Sequence, residues 1–277
     1  MRPPTGVRRF IRSSVGLWPA LEIRNKVIGA GAAVGNRRFQ AREVRRLRQL
    51  SDGQQFRARV LVVIPTYKRS KALVRAVDSA LSQTYKDLTV VVVDDGGGLP
   101  DLRPDPRLIA VSLSRNSATL GLVRNVGTEL VDSEFIGFLD DDNVWTPDHV
   151  ATAVAALADD PTLAAVYTSI RRLRPDGSEM DVLGEPFNRD KLKEHTYVDA
   201  NSIVVRRSSH LGFSVLPRDR STLPKEDWEY VWRISRRGRV AHVPQVTVVY
   251  SLNLDSYFTT WALDSSGDFG RYRSPET

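Results

Sequence analysis

The sequence predicts an α/β protein: a mostly parallel, Rossmann-like sheet flanked by helices and preceded by a basic helical arm. Two patterns carry that prediction. Short runs rich in β-branched residues are apolar throughout, as strands covered on both faces must be. Segments with helical spacing alternate with those runs, and strand–helix alternation implies parallel pairing through crossovers.

Taken in order, Ala41, Val44, Leu47 and Leu50 recur every three residues between arginines, giving an amphipathic helix with a basic face. Such a helix either docks on anionic lipid or packs on its own domain, and the lack of the bulky Trp/Phe/Leu face usual in membrane helices favours packing. Val60–Ile64 is the first strand, stopped by Pro65, and Leu73, Val74, Val77 and Leu81 mark a helix over Lys71–Leu81. Leu88–Val93 and Leu108–Leu113 are strands, Leu120–Val131 a helix, and Phe135–Leu139 a strand. Pro147 opens a helix to Ala158, since proline suits a first helical turn, and Leu163–Thr168 is the fifth strand. Beyond the Pro175-Asp176-Gly177 turn the pattern loosens, with strands at Val198–Arg206 and Val246–Leu252. A helix at Lys225–Arg236 carries Trp228, Tyr230 and Trp232, and the tail after Ser251 is expected to be loosely held.

Composition removes several chemistries. The 277 residues include no cysteine, which excludes disulfides, thiolate metal sites and a thiol nucleophile. The four histidines are scattered, so histidine-based metallohydrolysis is not expected. The net charge of +7 divides unevenly: residues 1–58 hold 13 bases against Glu22, Glu43 and Asp52, leaving the arm at +10 and the body at −3. A nucleic-acid partner for the whole chain is therefore not expected. No apolar run reaches the ~20 residues of a membrane-spanning helix. The Arg-rich start resembles an organelle transit peptide no better than a general arginine bias, so the expected location is cytoplasmic, with peripheral contact on anionic membrane through residues 1–58 as an option.

In an open α/β sheet, ligands sit at the carboxyl ends of the strands. There the sequence places Thr66, Tyr67, Lys68 and Arg69, then Asp94 and Asp95, then Asp140, Asp141 and Asp142. Clustered carboxylates repel unless a cation joins them, and hard oxygen donors favour Mg²⁺ or Mn²⁺. Such an ion suits the charge of a departing diphosphate. Neither GxxxxGK[ST] nor GxGxxG follows the first strand, which sets aside P-loop and dinucleotide enzymes.

The ordered motifs Val-Val-Ile-Pro-Thr-Tyr-Lys-Arg (62–69), Val-Asp-Asp-Gly (93–96), Arg-Asn-Val-Gly (124–127), Phe-Leu-Asp-Asp-Asp-Asn (138–143) and Lys-Glu-Asp-Trp-Glu-Tyr-Val-Trp-Arg (225–233) resemble the family-2 inverting glycosyltransferases of the GT-A fold. The resemblance covers roughly residues 59–251. It implies a nucleotide-binding half over 59–145 and an acceptor half over 146–251, between a 1–58 arm and a 252–277 tail. It implies transfer of one sugar from a UDP- or dTDP-type donor to an acceptor hydroxyl or amine, on a cell-surface glycan, a lipid-linked carrier or a secondary metabolite.

The resemblance also implies residue roles. Pro65, Thr66 and Tyr67 cradle the base with Arg69 nearby; Asp94 or Asp95 hydrogen-bonds it, and Arg124 approaches the nucleotide. Asp141 faces the ribose, Asp142 holds the metal ion and Asp140 is a further candidate ligand. Asp227 is the general base, favoured over Glu226, and the helix N-terminus is expected to lower its pKa. Trp145, just past the acids, is the best aromatic platform for a sugar or acceptor. The Gly96-Gly97-Gly98 run, the lack of a Gln-x-x-Arg-Trp motif, and Ser251-Leu252-Asn253 after Tyr250 depart from the family pattern, leaving donor-base preference open, disfavouring a processive synthase and questioning diphosphate contacts from the last strand. The rival readings are a sugar-1-phosphate nucleotidyltransferase, which should carry a Gly-rich loop after strand one, and a non-catalytic module binding membrane or nucleic acid through the arm.

Overall fold

The computed structural model describes residues 23–27, 29–50, 56–208, 211–218 and 225–252. The transit-like start and the tail beyond Leu252 lie outside them. The described elements are α1 (Ala30–Leu50), β1 (Phe56–Thr66), α2 (Ser70–Leu81), β2 (Leu88–Asp94), β3 (Leu108–Ser112), α3 (Leu120–Leu130), β4 (Val131–Phe138), β5 (Val144–Trp145), α4 (His149–Asp159), β6 (Leu163–Leu173), β7 (Glu179–Leu183), α5 (Arg189–Leu192), a 3₁₀ turn (Ala200–Ser202), β8 (Ile203–Arg206), α6 (Glu226–Ser235) and β9 (Arg239–Ser251).

The strands form one sheet in the order β3-β2-β1-β4-β8-β6-β9-β5, with β7 paired to β6. β1 pairs in parallel with β2 and β4, and β6 with β9, while β8 runs antiparallel between β4 and β6. Successive β1 residues point to opposite faces, and both faces are covered. Leu61 and Val63 join α1, α3 and α6 in one core, whereas Val60, Val62 and Ile64 join α2 and α4 in the other. That double burial explains the unbroken apolar runs.

Three expectations change. The basic helix is longer than its periodicity suggested, and its buried face is Ala33, Phe39, Glu43, Val44 and Leu47; Ala41 and Leu50 are exposed. It packs on the domain, and β1 begins at Phe56, inside the expected arm. The 198–206 segment pairs only from Ile203, because Ala200–Ser202 turns first. β9 starts at Arg239, with a register shift between Val243 and Val246 where Pro244 has no N–H for the ladder.

The chain runs β1, β2, β3 outward to one side and returns with β4 on the other side of β1. This reversal opens a crevice at the carboxyl ends of β1 and β4, the usual ligand position in such sheets.

Candidate active site

The two lips of that crevice are bonded to each other. At the end of β1, the Thr66 hydroxyl donates to Asp141 Oδ2 at 2.6 Å. Arg69, three residues on, reaches across to Asp141 Oδ1 at 3.3 Å and pairs closely with Asp142. Burial pushes the Asp141 carboxyl up to about 6, against the pull of Thr66 and Arg69. Burial, followed by the neighbouring charge of Asp140, also raises Asp142.

The third acid turns the other way. Asp140 accepts from Arg124 Nη2 at 2.6 Å and from Asn201 Nδ2 at 2.9 Å, while its own N–H donates to Asn201 Oδ1 at 2.6 Å. Arg124 is only 2% exposed and lies over the Phe213 ring at 4.9 Å, with Nη1 3.7 Å from Glu226 Oε1. Arg124, expected to approach the nucleotide, lies buried beneath the acids, with Nη2 bonded to Asp140 and Nη1 beside Glu226. A surface ion pair is excluded. Nε and Nη1 have no hydrogen-bond partner among the described residues.

The Arg-Asn-Val-Gly motif now has a local reason. Asn125 clamps the backbone of Phe213, accepting its N–H at 2.7 Å and donating to its carbonyl at 3.0 Å. A Cβ on Gly127 would sit 2.6 Å from Val63, so glycine lets α3 rest directly on the sheet. Arg124 can then reach the end of β4 from below.

Asp94 and Asp95 organise loops. Asp94 accepts the N–H groups of Gly97 and Gly98, both at 2.9 Å. Asp95 accepts those of Ser117 at 2.7 Å and Ala118 at 3.1 Å, although burial still raises its pKa. Gly96 has φ of +76°, and a Cβ there would strike the Arg115 carbonyl carbon at 2.6 Å. Pro65 and Thr66 are buried, whereas Tyr67 stands 40% exposed with the Lys68 ammonium over its ring at 5.1 Å. The β1, β2 and β3 loops therefore meet beside the acidic lip.

From the opposite side, α6 brings Asp227, a half-buried residue. Its carboxylate accepts the Trp228 N–H at 2.7 Å. The helix was expected to lower its pKa, yet burial first, then Glu226 and Asp199, push it up to about 7 against Arg124. A helix terminus contributes only ~0.3–1 kcal/mol, too little to offset desolvation beside two acids.

Sequence reasoning missed Asp199 and Asn201. Asn201 bridges Asp140 to Asp199, donating to the latter at 2.7 Å, and burial raises the Asp199 pKa. The only signal was a polar Asp-Ala-Asn-Ser stretch opening a buried strand. It missed Glu43 of α1 as well, which accepts from the Ser114 N–H at 2.9 Å and hydroxyl at 2.7 Å. Arg46 links that carboxylate to the Ser112 carbonyl, and the Arg115 guanidinium lies over Phe39 at 4.2 Å. The loop that holds Asp95 is thereby fastened to α1. Trp145 is a correction: it is 4% exposed, donates to the Asn201 carbonyl at 2.7 Å and stacks on His149, so it offers no platform. Trp228 and Trp232 are also buried.

Asp140 and Asp142 stay partly exposed and repel each other, and their oxygens suit Mg²⁺ or Mn²⁺ in chemistry. Among the described residues no group of three or more His, Asp or Glu side chains forms a metal cage. A depression of about 610 Å³ lies over the Leu99–Pro106 loop, but none of the candidate residues lines it.

Comparison with known proteins gives the family and the fold. The description "Glycosyl transferase family 2" matches residues 61–213, more than half of the chain. A chondroitin synthase from Pasteurella multocida is 27% identical over 194 residues, covering 68% of this chain and 20% of that protein. The succinoglycan biosynthesis protein ExoW of Rhizobium meliloti is 35% identical over 109 residues, covering 36% of this chain and 34% of its own. The chain thus spans about a fifth of the synthase and a third of ExoW. Among solved structures, a Pyrobaculum calidifontis mannosyltransferase in complex with GDP-Man and Mn²⁺ has a TM-score of 0.54 at 22% identity, covering 89% of this chain and 72% of that one. Staphylococcus aureus TarS 1-349 with UDP-GlcNAc gives 0.57 at 17% identity, covering 73% and 61%. These two likenesses establish the GT-A fold.

Proposed function

The chain belongs to glycosyl transferase family 2, and from that premise we propose that it moves a single sugar from a nucleoside-diphosphate donor to an acceptor hydroxyl or amine, with inversion. The observation that carries the reading is the meeting of three groups at one crevice. Thr66 and Arg69 bond Asp141 and Asp142 directly, and Arg124 beneath them bonds Asp140 and lies beside Glu226, the neighbour of Asp227 on α6.

The work divides between the two sides. Pro65, Thr66, Tyr67 and Arg69, with the loops held by Asp94 and Asp95, take the nucleotide, and Asp141 faces the ribose. Asp142, assisted by Asp140, would hold Mg²⁺ or Mn²⁺, whose charge would offset that developing on the diphosphate. Asp227 accepts the acceptor proton as its oxygen or nitrogen attacks the anomeric carbon opposite the leaving group. A raised pKa makes it a stronger base than an exposed aspartate, so the burial seen at this position supports the role.

UDP-type donors are the leading choice, since one structural relative was captured with UDP-GlcNAc, and GDP-Man in another keeps guanosine donors in the test. Incubating the chain with UDP-, dTDP- and GDP-sugars and Mn²⁺, and following nucleoside-diphosphate release, tests the assignment. Slow release from one donor, lost in EDTA and in Asp142→Asn, is expected. Release undiminished by EDTA would remove the metal from the reading, and inertness towards every donor would remove the reading itself.

A further inference from the structure

The outer face of α1 has no role in the crevice, yet it has a defined chemistry. Helical hydrogen bonding continues upstream of Ala30, with Gly29 N–H donating to the Asn25 carbonyl and Ala33 N–H to that of Gly29. On α1, residues 34, 38, 41 and 45 share one stripe at spacings that are whole helical turns, and Ile23 and Val27 lie one turn apart in the helical segment leading into it. The leading part is aliphatic and open to solvent: Ile23 is 62% exposed, Val27 75% and Val34 46%. The following part is basic, with Arg38 and Arg45 flanked by Arg37 and Arg42, all exposed. None of these four arginines has an acidic partner among the described residues.

A solvated helix face normally mixes both signs of charge. Here the only acid from residue 23 to residue 50 is Glu43, which is buried on the opposite side. Nor is the helix free to turn away, because Phe39, Val44, Leu47 and the Glu43–Ser114 bonds fasten it to the domain. Its direction is fixed too. Asn36 Nδ2 donates to Thr119 and to the Val215 carbonyl, whereas Arg48 bonds the Glu129 carbonyl at the far end of α3. The aliphatic end thus lies at the carboxyl edge of the sheet, the same edge as the acidic crevice.

We propose that this stripe is a docking surface for an anionic lipid bilayer, with Ile23, Val27 and Val34 entering the headgroup boundary and Arg37, Arg38, Arg42 and Arg45 pairing with lipid phosphates. Aliphatic insertion beside a row of arginines is the arrangement of interfacial helices. A duplex nucleic acid would use the charges but leave the aliphatic half idle. Docking along the stripe brings the crevice edge close to the membrane plane, where an acceptor carried on a lipid is within reach.

The test is co-sedimentation of the full chain with vesicles of phosphatidylcholine alone or mixed with phosphatidylglycerol, at low and at physiological salt. Binding to the mixed vesicles alone, weakened by salt, is expected. Changing Arg37, Arg38, Arg42 and Arg45 together to Gln should lower partition by about 600-fold, since each base near an anionic surface contributes about fivefold. Changing Ile23, Val27 and Val34 to Ser should weaken binding even at low salt. Equal binding to neutral vesicles, unchanged binding by the arginine variant, or tighter binding to a DNA duplex than to the vesicles would each overturn the proposal. Donor hydrolysis by the arginine variant in solution is expected to match the parent chain, so a failed docking result leaves the enzymatic reading standing on its own test.

Discussion

Asp227 shows two local effects in opposition. The field at the start of α6 favours its carboxylate, but burial beside Glu226 and Asp199 favours the protonated form and prevails, raising the pKa to about 7. A base must be deprotonated to act, so kcat/KM should rise with pH through about 7 and then level off. Asp227→Asn should lower kcat by about 10²–10⁴ while donor binding, read by calorimetry with the nucleoside diphosphate, is kept. Arg124 is the cation that restrains this shift. Arg124→Met should therefore move the acid limb of the profile to higher pH. It also leaves the half-buried Asp140 and the buried Glu226 without their counter-charge, and urea unfolding should report a loss of about 3–5 kcal/mol. The acids were legible in the sequence because they stand side by side at strand and helix ends. Arg124 bonded to Asp140, and Asn201 bonded to both Asp140 and Asp199, were not, because no local pattern shows which distant residues the sheet order brings together.

At the scale of elements, α1 was legible as a helix but not by its working face. A pattern reading places charged residues outside, so it preferred Ala41 and Leu50 and passed over Glu43, which is buried because Ser114 and Arg46 satisfy it. Those bonds hold Glu43 ionised, its pKa lowered despite burial. Through Ser114 they brace the loop whose Ser117 and Ala118 N–H groups hold Asp95. Glu43→Ala leaves the Ser114 donors and Arg46 unmatched, a loss of about 1–3 kcal/mol in stability. It should also raise KM for the donor with kcat nearly unchanged, the pattern of a lost ground-state contact on the nucleotide side. A change in kcat alone would place the loop on the chemical step instead. The strands show the same division. β1 and β2 were visible as apolar runs because helices cover both faces, whereas the start of β9 was hidden by Pro244 and its mixed burial.

At the scale of the whole molecule, composition suggested a +10 arm ending at residue 58 and separable from the body. The packing argues against separability. Phe56, Arg57 and Ala58 pair with Val131, Asp132 and Ser133 of β4, so a cut after residue 58 shortens the central strand. The cut also removes Phe39, Val44 and Leu47 from the core they share with Leu113, Leu122 and Val126. Burying each such side chain contributes about 1.5–3 kcal/mol, and three of them together approach the ~5–15 kcal/mol that holds a domain folded. The family span begins at Leu61 and takes no account of this helix, but the folded unit does. A chain starting at Arg59 should therefore lose its cooperative thermal transition by circular dichroism and aggregate on purification, while one starting at Ile23 keeps the transition. Had the basic segment been a detachable tether, the two truncations would melt alike, and that result would return α1 to the role of an accessory. The buried half of the helix makes it part of the catalytic domain, and only its outward half is left over for a partner.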